Sequence, residues 1–466
     1  MYRKNAWKAL AEGEKAQLEA FAEKYKAYLN AGKTERECVT ESVRQAREAG
    51  FEDIAVILKE GRQLKVGDRV YCNWMNKCFM AWVIGENDIT LGMNILGAHI
   101  DSPRIDIKQN PAYENGGFAY LDTHYYGGIK KYHWVAMPLA MHGVVCKKDG
   151  TTVTIAIGED AADPIFYISD LLIHLAGDQM SKTAAKVIEG DALDILIGSE
   201  PLAGEEKEAV KANALGIIKE KYGIEEEDFV SAELEIVPAG ACRDVGFDRS
   251  MIAGYGHDDR VCAYPSMAAV MDYEGTPAYT LCAVLTDKEE IGSVGATGMG
   301  AMYFENIMAE LVANLKGCGN PLYLRRCLAN SRMLSSDVSA GFDPNFAGVF
   351  EKNNASIVGN GVTFNKFTGS RGKSGSNDCN AEFVAQIRSI CDEANISWQT
   401  AELGRVDVGG GGTIAYICAK YGMNVIDCGV PVLSMHAPWE VISKVDLWEE
   451  YKCYCAFLKG AKELIY

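Results

Sequence analysis

The chain has 466 residues, with 46 lysines and arginines against 64 aspartates and glutamates, which gives a formal charge of −18. Its apolar fraction of 48% is that of a folded globular protein and excludes disorder over most of the length. The acidic balance argues against nucleic acid or an anionic membrane as a partner, because both attract basic surfaces. The length predicts two or three domains, or one large domain with an insertion.

The compartment is predicted from the N-terminus, the hydropathy and the cysteines. The opening segment MYRKNAWKALAEGEKAQLEAF has no apolar signal region, and no apolar run approaches the roughly 18–20 residues that cross a bilayer. The fifteen cysteines include no CxxC pair, which favours reduced and mostly buried thiols. The sequence therefore predicts a cytoplasmic protein.

Two helices are predicted in the first fifty residues. Apolar side chains recur at three- and four-residue spacing from Leu18 to Leu29, which gives the first helix one apolar face. Thr34 and Glu37 form the capping-box pattern that opens a second helix, and Gly50 is placed to close it. Short runs typical of strands follow: KVGDRVYC, CFMAWVIG and NILGAHID.

The middle of the chain differs in composition from both ends. Residues 115–160 are rich in glycine, tyrosine and alternating apolar residues, which indicates β structure. Beyond them, the run DLLIHLAGDQM predicts a helix with an apolar stripe of Leu171, Leu172 and Leu175, and a charged segment near residues 205–228 is typical of a solvated helix. We predict a β-rich domain at residues 109–240, inserted between two parts of a larger domain at 1–108 and 241–466.

The last part of the chain alternates between strand-length and helical segments. The apolar runs YTLCAVLT and NVIDCGVPVL are separated by helical stretches such as GAMYFENIMAELVANL and NAEFVAQIRSICDEA. This alternation predicts an α/β fold in which a mixed, mainly parallel sheet carries helices on both faces.

Histidine and carboxylate side chains follow several of these strands. His99 and Asp101 end the run GAHID, and their spacing places both side chains on one side of an extended chain. A carboxylate in this position fixes the tautomer of a metal-bound imidazole. A histidine with a purely structural role is the alternative. His436 ends another apolar strand, in VPVLSMHAPWE.

Acidic residues mark three further positions. Asp258 and Asp259 are adjacent at the predicted start of a helix, where a plain helix cap is the alternative. Glu289 and Glu290 follow a buried-type strand, so that one can bind a metal while its neighbour acts as a base; a charged loop is the alternative. Asp337 also follows a short apolar strand. A set of imidazole and carboxylate groups suits Zn²⁺, Co²⁺ or Mn²⁺, and five ligands with one shared carboxylate suit two ions.

Six motifs resemble those of the aspartyl aminopeptidase and vacuolar aminopeptidase I family of dinuclear zinc exopeptidases. They are GAHIDSPR, HDDRVCAY, DKEEIGS, SSDVSAGFDPN, GGGGTIA and LSMHAPWE, in the family's order and over most of the chain. The resemblance implies a metallo-aminopeptidase that removes N-terminal amino acids from peptides with a free N-terminus. It also implies that the β-rich insertion is a dimerisation domain and that the protein is a homo-dodecamer built from dimers.

The resemblance further implies roles for residues in the matching motifs. The ligands of two Zn²⁺ ions per subunit would be His99, Asp258, Glu290, Asp337 and His436. Asp258 would bridge the two ions, with Asp259 left as the alternative because many relatives have Asp-Asn here. Asp101 would orient His99, and Glu289 would be the general base. His174 in DLLIHL matches a histidine that reaches the neighbouring subunit's active site and hydrogen-bonds the developing oxyanion.

Substrate recognition is predicted in two glycine-rich loops. Some relatives prefer N-terminal Asp or Glu, and an acidic side chain needs a cationic partner, for which Arg371 and Lys373 are candidates; a solvated loop is the alternative. The glycines at 409–412 would offer bare backbone N–H groups at a helix N-terminus close to the substrate, with Gly410 and Gly411 as candidate substrate-binding residues. A nucleotide phosphate loop is excluded, because no lysine follows these glycines.

Two other functions remain open at this point. A metal-dependent deacylase or carboxypeptidase with a similar core differs from an aminopeptidase in acting on other ends or on N-acyl groups. A non-catalytic shell protein is the second alternative, and the presence of every candidate ligand and of the candidate base argues against it.

Overall fold

The computed structural model describes residues 5–369 and 372–464, which form two compact units. The first unit takes the chain up to Asp101, then Arg243–Met435, and then the chain from Glu440. The second unit comprises Ser102–Cys242 and the short segment His436–Trp439. The predicted insertion at 109–240 lies inside the long segment of the second unit, and its role in dimerisation stays a prediction.

The strands are, in chain order, β1 (Glu52–Asp53), β2 (Arg69–Trp74), β3 (Cys78–Val83), β4 (Met93–His99), β5 (Arg104–Asn115), β6 (Phe118–Tyr126), β7 (Leu139–Cys146), β8 (Thr152–Ile157), β9 (Ile195–Gly198), β10 (Ala232–Pro238), β11 (Arg243–Val245), β12 (Met251–Gly254), β13 (Thr280–Thr286), β14 (Arg332–Ser336), β15 (Ser339–Ala340), β16 (Val362–Asn365), β17 (Trp398–Thr400), β18 (Asn424–Gly429), β19 (Pro431–Val432) and β20 (Glu440–Ser443).

The helices are α1 (Glu14–Ala31), α2 (Glu35–Glu48), α3 (Ile54–Lys59), α4 (Gly177–Met180), α5 (Ala209–Tyr222), α6 (His257–Met271), α7 (Tyr303–Lys316), α8 (Pro321–Ala329), α9 (Ala381–Glu393), α10 (Ala415–Ala419) and α11 (Lys444–Gly460). No helix in the described part of the chain is both long and apolar enough to cross a membrane. Twelve of the fifteen cysteines are buried, as predicted.

The first unit is built on a nine-stranded sheet in the order β1-β2-β3-β13-β4-β14-β18-β16-β17. Its centre, β13-β4-β14-β18, is parallel, whereas β3 runs antiparallel to β13 and β16 runs antiparallel to β18. The central strands β4, β13 and β14 are buried on both faces, which is why the sequence of β13 is a nearly continuous apolar run rather than an alternating one. The predicted mixed, mainly parallel α/β fold is confirmed.

Helices cover both faces of this sheet. Ile95, Val284 and Met333 point to one face and form a core with apolar residues of α3, α7, α8 and α10. Asn94 precedes Ile95 and so points to the other face, where its Nδ2 donates to the Leu458 carbonyl oxygen of α11 at 3.2 Å. The period of two along each strand therefore divides the helices between two layers.

The two N-terminal helices form as their sequences predict. The buried residues of α1 are the six of its apolar face: Leu18, Phe21, Ala22, Tyr25, Tyr28 and Leu29. Thr34 Oγ1 accepts the Glu37 N–H at 3.2 Å, and Glu37 Oε2 accepts the Thr34 N–H at 3.0 Å. This reciprocal capping satisfies two donors that the first turn of α2 would otherwise leave without partners.

The second unit contains a six-stranded antiparallel sheet in the order β8-β7-β10-β5-β6-β9. Helix α5 covers part of it and corresponds to the charged helical segment of the sequence. Within this unit β structure dominates, as the glycine, tyrosine and alternating apolar residues indicate.

The prediction of a helix around residue 174 is wrong. Ile173–Leu175 is a single 3₁₀ turn, and Leu171, Leu172 and Leu175 are 47%, 53% and 70% exposed rather than packed as a stripe. Asp170 Oδ1 accepts hydrogen bonds from the Leu171 N–H and from Gln179 Nε2, which favours a turn over a helix. An isolated helix this short would also need packing to offset its nucleation cost, and these side chains are about half exposed or more.

Replacing Thr34 with alanine removes the acceptor for the Glu37 N–H, so we expect the free energy of unfolding of the first unit to fall by about 1 kcal/mol. Urea denaturation followed by circular dichroism measures this change. The matched control is Thr40→Ala in the same helix, because the Thr40 hydroxyl only donates to the Arg36 carbonyl oxygen at an exposed position. An equal loss in both variants would contradict the capping role.

Candidate metal centre

The parallel strands bring the predicted site residues of the first unit to one edge of the sheet. His99 is the last residue of β4, and it pairs in register with Thr286, the last residue of β13. Glu289 follows β13 in a short 3₁₀ turn, and Asp337 directly follows β14. Because parallel strands end at the same edge, residues far apart in sequence meet there.

The His99 imidazole is held between two carboxylates. The ring is almost fully buried, with Nδ1 3.0 Å from the Asp101 main-chain oxygen and 3.2 Å from Asp101 Oδ1. A carbonyl oxygen only accepts, so Nδ1 donates, while Nε2 lies 3.2 Å from Asp258 Oδ1. A ring oriented by a carboxylate through one nitrogen, with the other directed at acidic groups, is typical of a metal-binding histidine.

Charge at this edge is reflected in the pKa of His99. Burial alone would lower it, but hydrogen bonds to Asp101 and Asp258 and the charge of Asp259 outweigh burial and raise the pKa well above 6.5. Burial, reinforced by the charges of Asp259, Glu289 and Asp258, likewise raises the pKa of Asp337 well above 3.8. The site thus concentrates negative charge that a cation would neutralise.

Asp258 lies at the centre of the cluster. Ligand atoms of His99, Asp258 and Asp337 all lie within 4.8 Å of one another, and carboxylate oxygens of Asp258 and Glu290 also lie within that distance. Imidazole nitrogen with carboxylate oxygen is a donor set that zinc accepts. The residues present therefore fit a zinc site, and Asp258 alone belongs to both groupings.

Asp259 has a different environment. It is fully buried, and its Oδ2 accepts the backbone N–H of His99 at 3.2 Å. Burial and the neighbouring charge of Asp258 raise its pKa well above 3.8. Asp259 thus supports the end of β4, and the contacts favour Asp258 over Asp259 as a shared ligand.

Asp101 organises the turn that carries the two glutamates. Its Oδ1 accepts the Glu289 N–H at 3.1 Å and its Oδ2 accepts the Glu290 N–H at 3.2 Å, while Lys288 enters the turn with a φ of 62°. Glu289 Oε2 lies 3.9 Å from His99 Nε2. One fully buried carboxylate therefore sets the position of the imidazole and of both glutamates.

Two buried acids near the site were missed by sequence reasoning. Glu440, the first residue of β20, accepts the Asp258 N–H through Oε2 at 2.9 Å. Asp427 on β18 accepts a hydrogen bond from Thr413 Oγ1 at 2.6 Å, and burial raises its pKa to about 7. The only sequence signal was their position: Glu440 ends the motif LSMHAPWE, and Asp427 interrupts the apolar run NVIDCGVPVL.

The predicted site residues of the second unit are His436 and His174. His436 Nδ1 donates to the Gly128 carbonyl oxygen at 2.8 Å, which fixes the tautomer of the ring. His174 lies exposed on the 3₁₀ turn Ile173–Leu175. The roles of both histidines stay predictions.

The candidate substrate loops are only partly as predicted. Arg371 lies outside the described residues. Lys373 Nζ donates to Asp378 Oδ2 at 3.0 Å and lies 3.9 Å from the centre of the Phe367 ring, so its charge already faces one carboxylate. Lys373 also lines a cavity of about 290 Å³, together with Arg405.

The prediction of bare backbone N–H groups at a helix N-terminus is wrong for Gly411. Its N–H donates to the Thr368 carbonyl oxygen at 3.2 Å, and α10 begins only four residues later. Thr413 Oγ1 accepts the Ala415 N–H at 3.2 Å, so a side chain already caps the first N–H group of α10. A role for Gly410 in substrate binding stays a prediction.

An open α/β sheet whose strand ends gather one imidazole and several buried carboxylates is typical of a metal-dependent hydrolase. Comparison with known proteins specifies the class. Residues 28–458 match the family described as aminopeptidase I zinc metalloprotease (M18). A probable M18 family aminopeptidase 1 of Clostridium acetobutylicum is 56% identical over 458 residues, 98% of each chain.

Solved structures agree with this match. An M18 family aminopeptidase from Thermotoga maritima superimposes with a TM-score of 0.94 at 42% identity, over 99% of this chain and 100% of that one. Aminopeptidase I from Clostridium acetobutylicum gives 0.91 at 54% identity, over 98% and 99%. The S. cerevisiae mApe1 dodecamer shares the fold, with a TM-score of 0.73 at 19% identity over 94% and 96%. The chain belongs to the M18 aminopeptidase family and is a zinc metallopeptidase.

The position of Asp258 between both ligand groupings predicts different metal contents for two neighbouring variants. Asp258→Asn should impair metal binding at both positions, whereas Asp259→Asn should retain at least one ion per subunit. Metal analysis of the purified proteins by inductively coupled plasma mass spectrometry measures this difference. The opposite ranking would move the shared ligand to Asp259.

Proposed function

We propose that the protein removes N-terminal amino acids from peptides with two Zn²⁺ ions per subunit and a water activated by Glu289. The observation that carries this proposal is the central place of Asp258, within 4.8 Å of His99 and Asp337 on one side and of Glu290 on the other. A carboxylate has two oxygens, so one aspartate can serve two ions. His436 completes the ligand set on the strength of the family resemblance.

The residues of the first unit would divide the chemistry between them. His99, Asp258, Glu290 and Asp337 would hold the metal, and zinc bound there would lower the pKa of water and polarise a scissile carbonyl. Glu289 belongs to the turn anchored by Asp101 and would act as the base that takes a proton from the attacking water. The same carboxyl group then returns the proton to the leaving amine.

A panel of aminoacyl chromogenic substrates and unblocked peptides tests the activity. The metal-free protein is supplied with Zn²⁺, Co²⁺ or Mn²⁺, and release of N-terminal residues is followed. Cleavage of N-acyl substrates or of C-terminal residues in place of this release would instead identify a deacylase or carboxypeptidase. No turnover with any metal would support the alternative of a non-catalytic shell protein.

Replacing Glu289 with glutamine should retain both metals and lower kcat by about 10²–10⁴-fold, because the base is lost while the ligands stay. Metal analysis and steady-state kinetics measure the two quantities on one preparation. The neighbouring Glu290→Gln serves for comparison and should lose metal as well as activity. Near-normal activity in a fully metallated Glu289→Gln would show that another group is the base.

We also propose a preference for acidic N-terminal residues, with Lys373 and Arg371 as candidate partners. Lys373 lines a cavity and makes its ion pair with Asp378 at a half-exposed position, where a substrate carboxylate can compete for it. The support is the family resemblance together with the position of Lys373.

Lys373→Ala should lower kcat/KM for Asp-peptides about two- to fivefold more than for Leu-peptides, the range of an exposed ion pair. Lys366→Ala is the matched control, because Lys366 lies 3.9 Å from the same Asp378 carboxylate. A wild-type protein that prefers leucine or methionine substrates would contradict the preference without any variant.

A homo-dodecamer built from dimers, located in the cytoplasm, is the proposed assembly. The resemblance and the dodecamer of S. cerevisiae mApe1 support the oligomer, and the mostly buried cysteines without a CxxC pair support the compartment. The exposed leucines around His174 are the kind of apolar patch that a subunit interface covers. We propose that His174 reaches a neighbouring subunit there and hydrogen-bonds the oxyanion.

His174→Ala should therefore keep metals and assembly while kcat falls by about 10²-fold, the effect of losing one oxyanion donor. Co-assembly of His174→Ala with Glu289→Gln subunits should restore part of the activity, because some sites would pair an intact base with an intact histidine. If mixed oligomers form and none exceeds its parents in activity, the histidine does not act across subunits.

A further inference from the structure

Glu440 is a buried acid that touches the main chain of the central ligand. It is 1% exposed, begins β20, and pairs in register with Gly254 at the end of β12. β12 leads within a few residues into α6, which carries Asp258. The pairing of β12 with β20 thus brings the Glu440 side chain to the start of α6, where Oε2 accepts the Asp258 N–H at 2.9 Å.

The Asp258 N–H needs such an acceptor. It belongs to the first turn of α6, where no carbonyl oxygen four residues earlier in the helix is available. The residue is also not helical, with φ −79° and ψ 105°, and Gly256 turns the chain just before it with a φ of 78°. The main chain from which the Asp258 carboxylate extends is therefore irregular, and a side chain secures it.

We propose that Glu440 is a positioning residue for the metal centre, fixing the peptide of Asp258 so that its carboxylate meets both ligand groupings. This inference rests on the proposed function, in which Asp258 is the shared ligand. Glu440 itself is not a ligand in this proposal and does not touch substrate. Groups that hold a metal ligand in place typically contribute a factor of about 10–100 to metal affinity.

A merely structural carboxylate in the same unit provides the control. Asp446 on α11 is fully buried, and its two oxygens accept the N–H groups of Gly359 and Gly361 at 2.7 Å each. It resembles Glu440 in burial and in bonding to backbone N–H groups, yet these bonds secure a loop that holds no proposed ligand. Removing either carboxylate leaves buried donors without partners and should lower stability.

The experiment measures zinc affinity and stability separately on the full chain. Metal is stripped from the wild type, Glu440→Ala, Glu440→Gln and Asp446→Ala, and Zn²⁺ is titrated in competition with a chromophoric chelator. Glu440→Ala should raise the zinc dissociation constant about 10–100-fold, and Glu440→Gln, which keeps an acceptor oxygen, should raise it less. Asp446→Ala should lower the unfolding midpoint and leave zinc affinity as in the wild type.

Equal zinc affinities in Glu440→Ala and Asp446→Ala would overturn the inference. If Glu440→Ala does not fold, Glu440→Asp replaces it, because the shorter side chain withdraws the acceptor while keeping the charge. It should weaken zinc binding more than Glu440→Gln does, and the reverse order would overturn the inference. A wild type that binds no zinc would instead refute the proposed function.

Discussion

The structure of the first unit depends on holding several carboxylates together in a buried place. Two like charges 4 Å apart repel by about 4 kcal/mol at the effective dielectric constant near a protein surface. Asp258, Asp259 and Asp337 share such a space around His99, and the raised pKa values of Asp259 and Asp337 record the repulsion and the burial. A divalent cation, or protons on the carboxylates in its place, would neutralise this charge and so stabilise the arrangement.

The sheet provides the rigidity that this repulsion demands. β4 is hydrogen-bonded to β13 on one side and to β14 on the other. The ends of these three strands therefore cannot separate without breaking the sheet. Hydrogen bonds from the main chain then fix the acids individually: Asp101 accepts from Glu289 and Glu290, and Asp259 accepts from His99. Each acid thus either faces the proposed metal or holds a residue that does.

Two predictions made from the sequence are wrong: the helix around residue 174 and the bare N–H group of Gly411. The first depended on packing within the second unit, and the second depended on which acceptor one N–H group finds. Leu171, Leu172 and Leu175 have helical spacing, yet they find no surface within the second unit to pack against and remain exposed. Gly411 lies in a run that suggests bare N–H groups, yet its N–H donates a hydrogen bond to the Thr368 carbonyl oxygen. The leucines therefore keep helical spacing without a helix, whereas a contact distant in sequence decided the outcome at Gly411.

The sequence by itself determined the α/β class, the first two helices, and a set of metal-binding candidates at strand ends: His99, Asp337, one of the pair Asp258 and Asp259, and one of the pair Glu289 and Glu290. Those follow from periodicity, capping and residue chemistry, which act over a few neighbouring residues. Only the tertiary structure decided that Asp258 rather than Asp259 faces both ligand groupings, and that Glu440 holds its peptide. The two aspartates are adjacent and chemically identical, so only the path of the chain and the pairing of β12 with β20 distinguish them.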